Sequence, residues 1–316
     1  MKIYQELNFT AQASTPRVLA LGFFDGVHRG HQQLLLHMAL QAESQALAPA
    51  VLTFSEAPAA AFRSPSFLGL IQTKEERYHS LAEKGAEEIF ALPLTPDLVQ
   101  MDPLDFLEKY VVRQLQAQAL VVGEDYSFGR GAQGKVPCLK AFCQDHGIQL
   151  TVVEDFLWRG KVVSSSLIRQ LLQAGDVQQA SYLLGRPFCH HAQVVQGQKL
   201  GRRLGFPTLN VVPPAEQVPL ARGVYLSRVY WQGQGHRAVT SVGTRPTVEV
   251  KAPMLSESFL LGEAYPQYGE DIRVDYLDFL RPEHRFASLE DLQAQVQKDI
   301  ATARKAHASL DSNAFD

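Results

Sequence analysis

Two histidines three residues apart stand in Gly22-Phe23-Phe24-Asp25-Gly26-Val27-His28-Arg29-Gly30-His31, and their setting suits phosphate chemistry. An apolar run ends there in a turn, and the helix that follows presents its N-terminus to anions. Gly22, Gly26 and Gly30 let the backbone approach a phosphate closely. His28 and His31 can both aim ring N–H donors at phosphate oxygens, and Arg29 adds a charged donor. Attack on the α-phosphate of a nucleoside triphosphate expels pyrophosphate and builds negative charge that preorganised donors stabilise. A phosphate monoester, with a second pKa of about 6, is already largely dianionic and attacks without a general base. On these residues alone the chemistry is adenylyl or cytidylyl transfer. Ser164-Ser165-Ser166-Leu167-Ile168-Arg169 places hydroxyls at a second helix start with Arg169 one turn in, a further cradle for β- and γ-phosphates.

The elements that must hold these residues alternate along the first half. Residues 17–24 form a buried strand, 34–46 a helix and 50–54 a second short apolar strand. Thr73-x-x-Glu76 is a capping box opening a helix over 73–84, and Gly85 stops it. A helix over 103–115 and strands over 119–122 and 150–153 continue the pattern, which predicts an α/β doubly wound domain with a parallel sheet covered on both faces. Two short helices follow, capped at Ser164 or Ser165 and at Asp176 and stopped at Gly175 and Gly185. Beyond Gly185 the character changes. Short β-prone pieces at 193–195, 223–230, 238–242 and 272–277, broken by Gly and Pro, predict a small β-barrel. Ser288-Leu289-Glu290-Asp291 then caps a final helix with Leu289, Leu292, Val296 and Ile300 on one face.

The chain of 316 residues suits two domains, 1–184 and 185–316. A hydrophobic fraction of 46% with 20% charged residues is ordinary for a soluble enzyme, and a net charge of −3 argues against nucleic-acid or anionic-membrane partners. Cys138, Cys143 and Cys189 lack zinc-site spacing and are expected as free thiols in a reducing compartment. The N-terminus turns polar at once, and no run of about 18 apolar residues occurs, so the expected location is the cytoplasm. No pattern specifies an oligomer.

Taken in order, several stretches together resemble one family, the bacterial bifunctional riboflavin kinase/FMN adenylyltransferases (FAD synthetases). These are residues 22–31, Gly123-Glu124-Asp125-Tyr126-Ser127-Phe128-Gly129, residues 164–169, Gly205-Phe206-Pro207-Thr208-Leu209-Asn210, Gly223-Val224-Tyr225 and Gly243-Thr244-Arg245-Pro246-Thr247. The resemblance spans essentially the whole chain. It implies FMN plus ATP giving FAD and pyrophosphate in the first domain, and riboflavin plus ATP giving FMN in the second.

Matched position by position, the resemblance makes His28 and His31 contacts to ATP phosphates. Gly22, Phe24, Asp25, Gly26, Arg29, Gly30, Ser164, Ser165, Ser166 and Arg169 complete the ATP site. Asp125 lies beside the nucleotide or flavin phosphate, and Phe54, Pro58, Phe62 and Phe128 line the isoalloxazine pocket, where aromatic walls suit a flat ring. In the second domain Thr208 and Asn210, two apart in an extended segment, project to one side as hard oxygen ligands for Mg²⁺. Lys199, Gly205 and Pro207 belong to its ATP site, with Arg202 and Arg203 in the same loop. Counting back from Tyr268-Gly269 puts Glu257 at the catalytic base, which a ribityl hydroxyl needs. Arg281 falls near the flavin. The chain departs from the family with Phe259 in place of the usual His, Gly262 and Pro266 in place of Asp, and Ser55-Glu56-Ala57-Pro58 in the first domain. Those departures motivate a second reading, an adenylyltransferase with a weakened or inactive kinase module. A third is a non-catalytic flavin-binding regulator.

Overall fold

A computed structural model describes residues 1–6, 15–58, 67–197, 201, 205–244, 254–262 and 265–312. By their contacts the residues divide into two compact units, Met1–Ser165 and Ser166–Asp316.

The first unit is built on a six-stranded parallel sheet. Its strands are β1 (Lys2–Tyr4), β2 (Arg17–Leu21), β3 (Ala48–Phe54), β4 (Glu88–Leu92), β5 (Ala117–Gly123) and β8 (Gln149–Val153), in spatial order β1-β4-β3-β2-β5-β8. Two short antiparallel pairs accompany it, β6 (Ser127–Phe128) with β7 (Gly134–Lys135) and β9 (Leu157–Trp158) with β10 (Lys161–Val162). β2 and β4 are buried at every residue, as strands covered on both faces must be. Their alternate residues serve different cores: Leu19 and Leu21 join Phe90 on one side, while Val18 and Ala20 join Ile89 on the other. At the opposite end of these strands Arg17 and Glu88 form a buried 2.7 Å ion pair. The strand order reverses between β2 and β5, so the crevice at their C-terminal ends is where an open α/β sheet takes its ligand.

Helix α1 (Arg29–Gln45) begins five residues earlier than its apolar spacing predicts, because His28 is its N-cap. Helix α2 (Lys74–Glu83) opens on the predicted capping box, with Thr73 and Glu76 bonded reciprocally. After α3 (Pro96–Val99) and α4 (Pro103–Phe106) the predicted 103–115 helix winds as a π-helix over Leu107–Gln114. Helix α5 (Val136–His146) ends on Gly147 at φ 66°. The three cysteines are free thiols.

The second unit opens with α6 (Ser165–Gln173) and α7 (Val177–Leu184), twenty residues ahead of the compositional change at 185. Packing explains the difference. Ala221 N–H donates to Leu172 C=O at 3.2 Å, Gly175 lies against Phe279, and α7 rests on strands β11 and β16 of the barrel that follows. That barrel is closed and antiparallel, ordered β11 (Phe188–Val195), β12 (Leu209–Val211), β15 (Met254–Leu260), β14 (Gln234–Thr244), β13 (Gly223–Trp231), β16 (Asp271–Pro282). Helix α8 (Leu289–Ser312) packs on β13 and β14 through Ala303.

Two chains of hydrogen-bonded polar side chains run among the apolar residues buried in the barrel. Ser227, Thr240 and Ser258 form one hydroxyl ladder at 2.6 and 2.8 Å; Ser256, Tyr276 and His190 form another at 2.9 and 3.0 Å. Burial, with the charge of His191 added, pushes His190 down to about 3. Below its ordinary 6.5 the unfolded chain takes up a proton that the folded barrel refuses, so stability is lost as pH falls from 6.5 towards 3. At pH 5 this amounts to about 2 kcal/mol. Chemical denaturation at the two pH values checks it: the advantage of the native chain over His190→Leu should shrink by about 2 kcal/mol from pH 7 to pH 5.

Candidate functional site

The loop leaving β2 is held in a conformation that side chains ordinarily avoid. Phe24 and Val27 have φ of 61° and 39°, flanking Gly26 at 81°. Positive φ in a β-branched residue is strain, which folds retain where surrounding contacts over-determine it. Here those contacts are visible. The Asp25 carboxylate accepts from the Ile71 N–H at 3.0 and 3.1 Å and from the Gln72 N–H at 3.4 Å. A Cβ on Gly26 would come within 2.9 Å of Ile71 Cδ1. Asp25 and Gly26 therefore dock the loop on residues 71–72 and do not line the cavity beside it; Arg29 also lies outside that lining.

His28 and His31 do meet the cavity, stacked with ring centroids 3.6 Å apart and planes 18° from parallel. His28 Nδ1 accepts from the His31 N–H at 3.3 Å, which puts the imidazole proton on Nε2. His31 Nδ1 is buried without a hydrogen-bond partner among the described residues. Burial first, then the neighbouring His28 and Arg77, hold His31 well below the ordinary histidine range, so it is neutral at pH 7. The cavity measures about 340 Å³. Opposite the histidines stand Phe54, Pro58, Tyr126 and Phe128, with Phe106 behind, and Asp125, Glu154 and Asp155 edge it. Tyr126 stacks on Phe128 at 5.5 Å. Ser164 and Ser165 complete the lining, and Ser165 Oγ donates to the Asp25 carbonyl at 2.9 Å. Gly22, Phe24 and Gly30 line it too, whereas Ser166 and Arg169 fall in the second unit.

The second cavity, about 490 Å³, lies between the outer barrel wall and α8. Strand register puts five residues in one row across that wall: Asn210 opposite Glu257, Glu257 opposite Ser241, Ser241 opposite Val224, and Val224 opposite Arg281. Residues directly opposite share a face, so amide, carboxylate and hydroxyl stand side by side. Thr208 joins them in the lining, and Asn210 Oδ1 is buried with no hydrogen-bond partner among the described residues. Gly197 is required beside it, since a Cβ there would lie 2.5 Å from Asn210 Nδ2. Gly205, at φ 86°, and Pro207 do not line this cavity.

The Arg281 guanidinium is gripped by α8. Nε and Nη2 donate to the Asp299 carboxylate at 2.7–3.1 Å, and Nη1 donates to Pro282 C=O. Among the three departures in this domain, Phe259 alone lines the cavity, edge-on to Phe206 at 6.0 Å; Gly262 and Pro266 do not. Phe62, Lys199, Arg202, Arg203 and residues 245–247 lie outside the described residues.

Sequence reasoning missed Phe106, Tyr126, Ser241, Asp299 and Arg77. Tyr126 sits inside the 123–129 motif and carried a signal; the others are brought in by distant elements and carried none.

Two cavities of different chemistry, one lined by stacked imidazoles and aromatic rings and the other by a row of amide, carboxylate and hydroxyl, fit a chain with two transferase activities. Residues 10–167 match the family model described as FAD synthetase, and residues 184–307 the one described as riboflavin kinase. The bifunctional riboflavin kinase/FMN adenylyltransferase of Escherichia coli K12 is 34% identical over 307 residues, 96% of this chain and 97% of its own. Its counterpart in Bacillus subtilis 168 is 31% identical over 302 residues, 93% of each chain. This chain belongs to the bifunctional riboflavin kinase/FMN adenylyltransferase family, with an FAD synthetase domain followed by a riboflavin kinase domain. A crystal structure described as a macrolide-efflux protein from Streptococcus pneumoniae shares the fold at a TM-score of 0.88 and 29% identity, over 96% of this chain and 99% of that one. No helix among the described residues is long and apolar enough to cross a membrane.

Proposed function

We propose that the family's two reactions are divided between the two cavities, riboflavin phosphorylation at the row Asn210–Glu257 and adenylyl transfer to FMN at His28 and His31. The domains are 1–184 for adenylyl transfer and 185–316 for the kinase. The observation that carries this reading is the segregation of chemistry. The barrel cavity pairs a carboxylate with a buried amide oxygen, and the sheet cavity pairs neutral imidazoles with an aromatic wall.

In the first cavity the FMN ring lies against Phe54, Pro58 and Phe128, with Asp125 near its phosphate. That phosphate, largely dianionic above its second pKa of about 6, attacks the α-phosphorus of ATP. One P–O bond forms to the FMN oxygen, the bond to the β-phosphate breaks, and pyrophosphate leaves with both electrons. No proton needs to move. His28 Nε2–H and His31 donate to oxygens on which charge grows, and the N-terminus of α1 adds its dipole. A neutral His31 donates without holding the leaving pyrophosphate as tightly as a cation would. Ser164 and Ser165 hold the β- and γ-phosphates.

In the second cavity Glu257 takes the proton of the ribityl 5′-hydroxyl as its oxygen attacks the γ-phosphorus of ATP, and ADP departs. Thr208 Oγ1 and Asn210 Oδ1 suit Mg²⁺, the latter being a buried oxygen that no other described residue satisfies. When bound there the ion neutralises charge on the β- and γ-phosphates. Arg281, fixed by Asp299, presents a positioned cation beside the flavin. Both reactions belong to the cytoplasm, where ATP and free thiols coexist.

Incubation with riboflavin, ATP and MgCl₂, resolved by chromatography, is expected to show FMN and then FAD. Appearance of neither product would overturn the reading, and FAD from supplied FMN alone would select the weakened-kinase version. Asn210→Ala should raise the Mg²⁺ needed for half-maximal FMN formation by about tenfold, the worth of one lost polar ligand, and leave FAD formation from FMN at its native rate.

A further inference from the structure

Arg77 is a buried cation that neither reaction, as described, employs. It sits in the first turn of α2, 2% exposed, and its hydrogen bonds run to backbone carbonyls and one hydroxyl. Nη1 donates to Phe23 C=O at 2.6 Å and to Thr53 Oγ1 at 3.3 Å. Nη2 donates to Phe54 C=O at 2.7 Å and to Ser55 C=O at 3.4 Å. The guanidinium also lies over the Phe23 ring, 4.1 Å from its centroid. Phe23 belongs to the strained loop that leads into His28, and Phe54 belongs to the aromatic wall opposite; both line the first cavity.

We infer that Arg77 is the positioning residue of the adenylyl-transfer site, its two forked nitrogens fastening the phosphate loop after β2 to the flavin wall at the end of β3. This rests on the proposed placing of ATP and FMN in that cavity. The β2–β3 ladder ends at Leu21 and Leu52, and past it the two chains are joined by the Gly22 N–H donating to Leu52 C=O at 3.3 Å and by Thr53 Oγ1 donating to Phe23 C=O at 3.2 Å. Neither of these bonds reaches Phe54, so the tie between the phosphate loop and the flavin-side residue at the end of β3 runs through Arg77. A planar fork with two separate nitrogens supplies it, where a single ammonium cannot reach both carbonyls in fixed directions. A rigid tie matters because an in-line displacement tolerates little error, a misplacement of about 1 Å being worth on the order of a hundredfold in rate.

The same cation acts on the chemistry through space. Arg77 is the cation that acts on His31 beside the neighbouring His28 ring, and it favours the neutral form. Burial lowers the pKa of Arg77 itself, opposed by Tyr78, Asp25 and Glu56 around it.

Arg77→Lys and Arg77→Gln in the full chain test the inference, with riboflavin phosphorylation in the other unit as the internal control. Arg77→Lys keeps the buried charge but not the fork. It is expected to lower kcat for FAD formation by about tenfold to a hundredfold and to raise KM for FMN, with kinase activity unchanged. Its His31 imidazole, followed by NMR, should stay neutral down to the same pH as in the native chain. Arg77→Gln removes the charge as well, so it should show the same loss of kcat together with an upward shift in the titration of His31. Folded Arg77→Lys protein that makes FAD within about twofold of the native kcat overturns the inference. So does Arg77→Lys protein whose first unit has lost amide-exchange protection, because a positioning role requires a folded but slow enzyme. His28→Asn separates the two readings. If it too leaves FAD formation intact, the site assignment has failed; if it is inactive while Arg77→Lys is not, only this inference has.

Discussion

Replacing His28 by Asn should lower FAD formation from FMN by about a hundredfold to a thousandfold, the range for loss of one preorganised donor at a transition state. Riboflavin phosphorylation in the same molecules should continue at its native rate. Asn is chosen over Ala because His28 has two duties in this structure. Its Nδ1 caps α1 by accepting from the His31 N–H, and its ring stacks on His31. An Asn side chain still accepts that N–H as an N-cap but presents no donor at the Nε2 position. His28→Ala would add about 1 kcal/mol of lost capping to the lost donor and blur the two. Thermal unfolding of the Asn variant should therefore match the native chain while pyrophosphate release nearly stops. Native-rate FAD formation by folded His28→Asn would falsify the assignment of the sheet cavity.

Glu257→Gln should have the opposite selectivity, removing FMN formation by about a hundredfold to ten-thousandfold and sparing FAD formation from supplied FMN. The amide keeps the volume and the place of Glu257 in the row between Asn210 and Ser241, so the barrel wall is undisturbed. What it cannot do is accept the ribityl proton. The substituted residue that borders the site, Phe259, adds an aromatic edge against Phe206 and takes nothing from this row. If folded Glu257→Gln phosphorylates riboflavin at the native rate, the carboxylate is not the base and the Asn210–Glu257 row has another use. If it loses both reactions, the chemistry is not segregated as proposed.

Several features that decide these outcomes are local, and local features are legible in a sequence. The turn from β2 into α1, the reciprocal capping of Thr73 and Glu76, the Gly185 helix stop and the change to short strands after residue 185 each depend on residues within a few positions of one another. Their physics is short-ranged: φ preference, N–H groups waiting for a cap, the period of the apolar face. Thr208 and Asn210 sharing a side is of the same kind, because alternation along an extended segment needs no knowledge of the partner strand.

Other features needed the chain to close. Asp25 stands among the phosphate-loop residues, yet its carboxylate is turned onto residues 71–72, forty-six positions away. The Asn210–Glu257–Ser241–Val224–Arg281 row exists only because five strands of a closed barrel share one register, and a slip of one residue in any of them would turn its side chain to the other face. The grip of Asp299 on Arg281 depends on where α8 docks, and the reach of Arg77 to Phe23 and Phe54 depends on how α2 packs across the ends of two strands. By itself the sequence determined which chemistry the chain carries, since donors, carboxylate and hard oxygen ligands are set by residue type and near spacing. Only the tertiary structure decided which of those groups face a cavity and what holds them there, because orientation comes from register, closure and packing between residues that the chain keeps far apart.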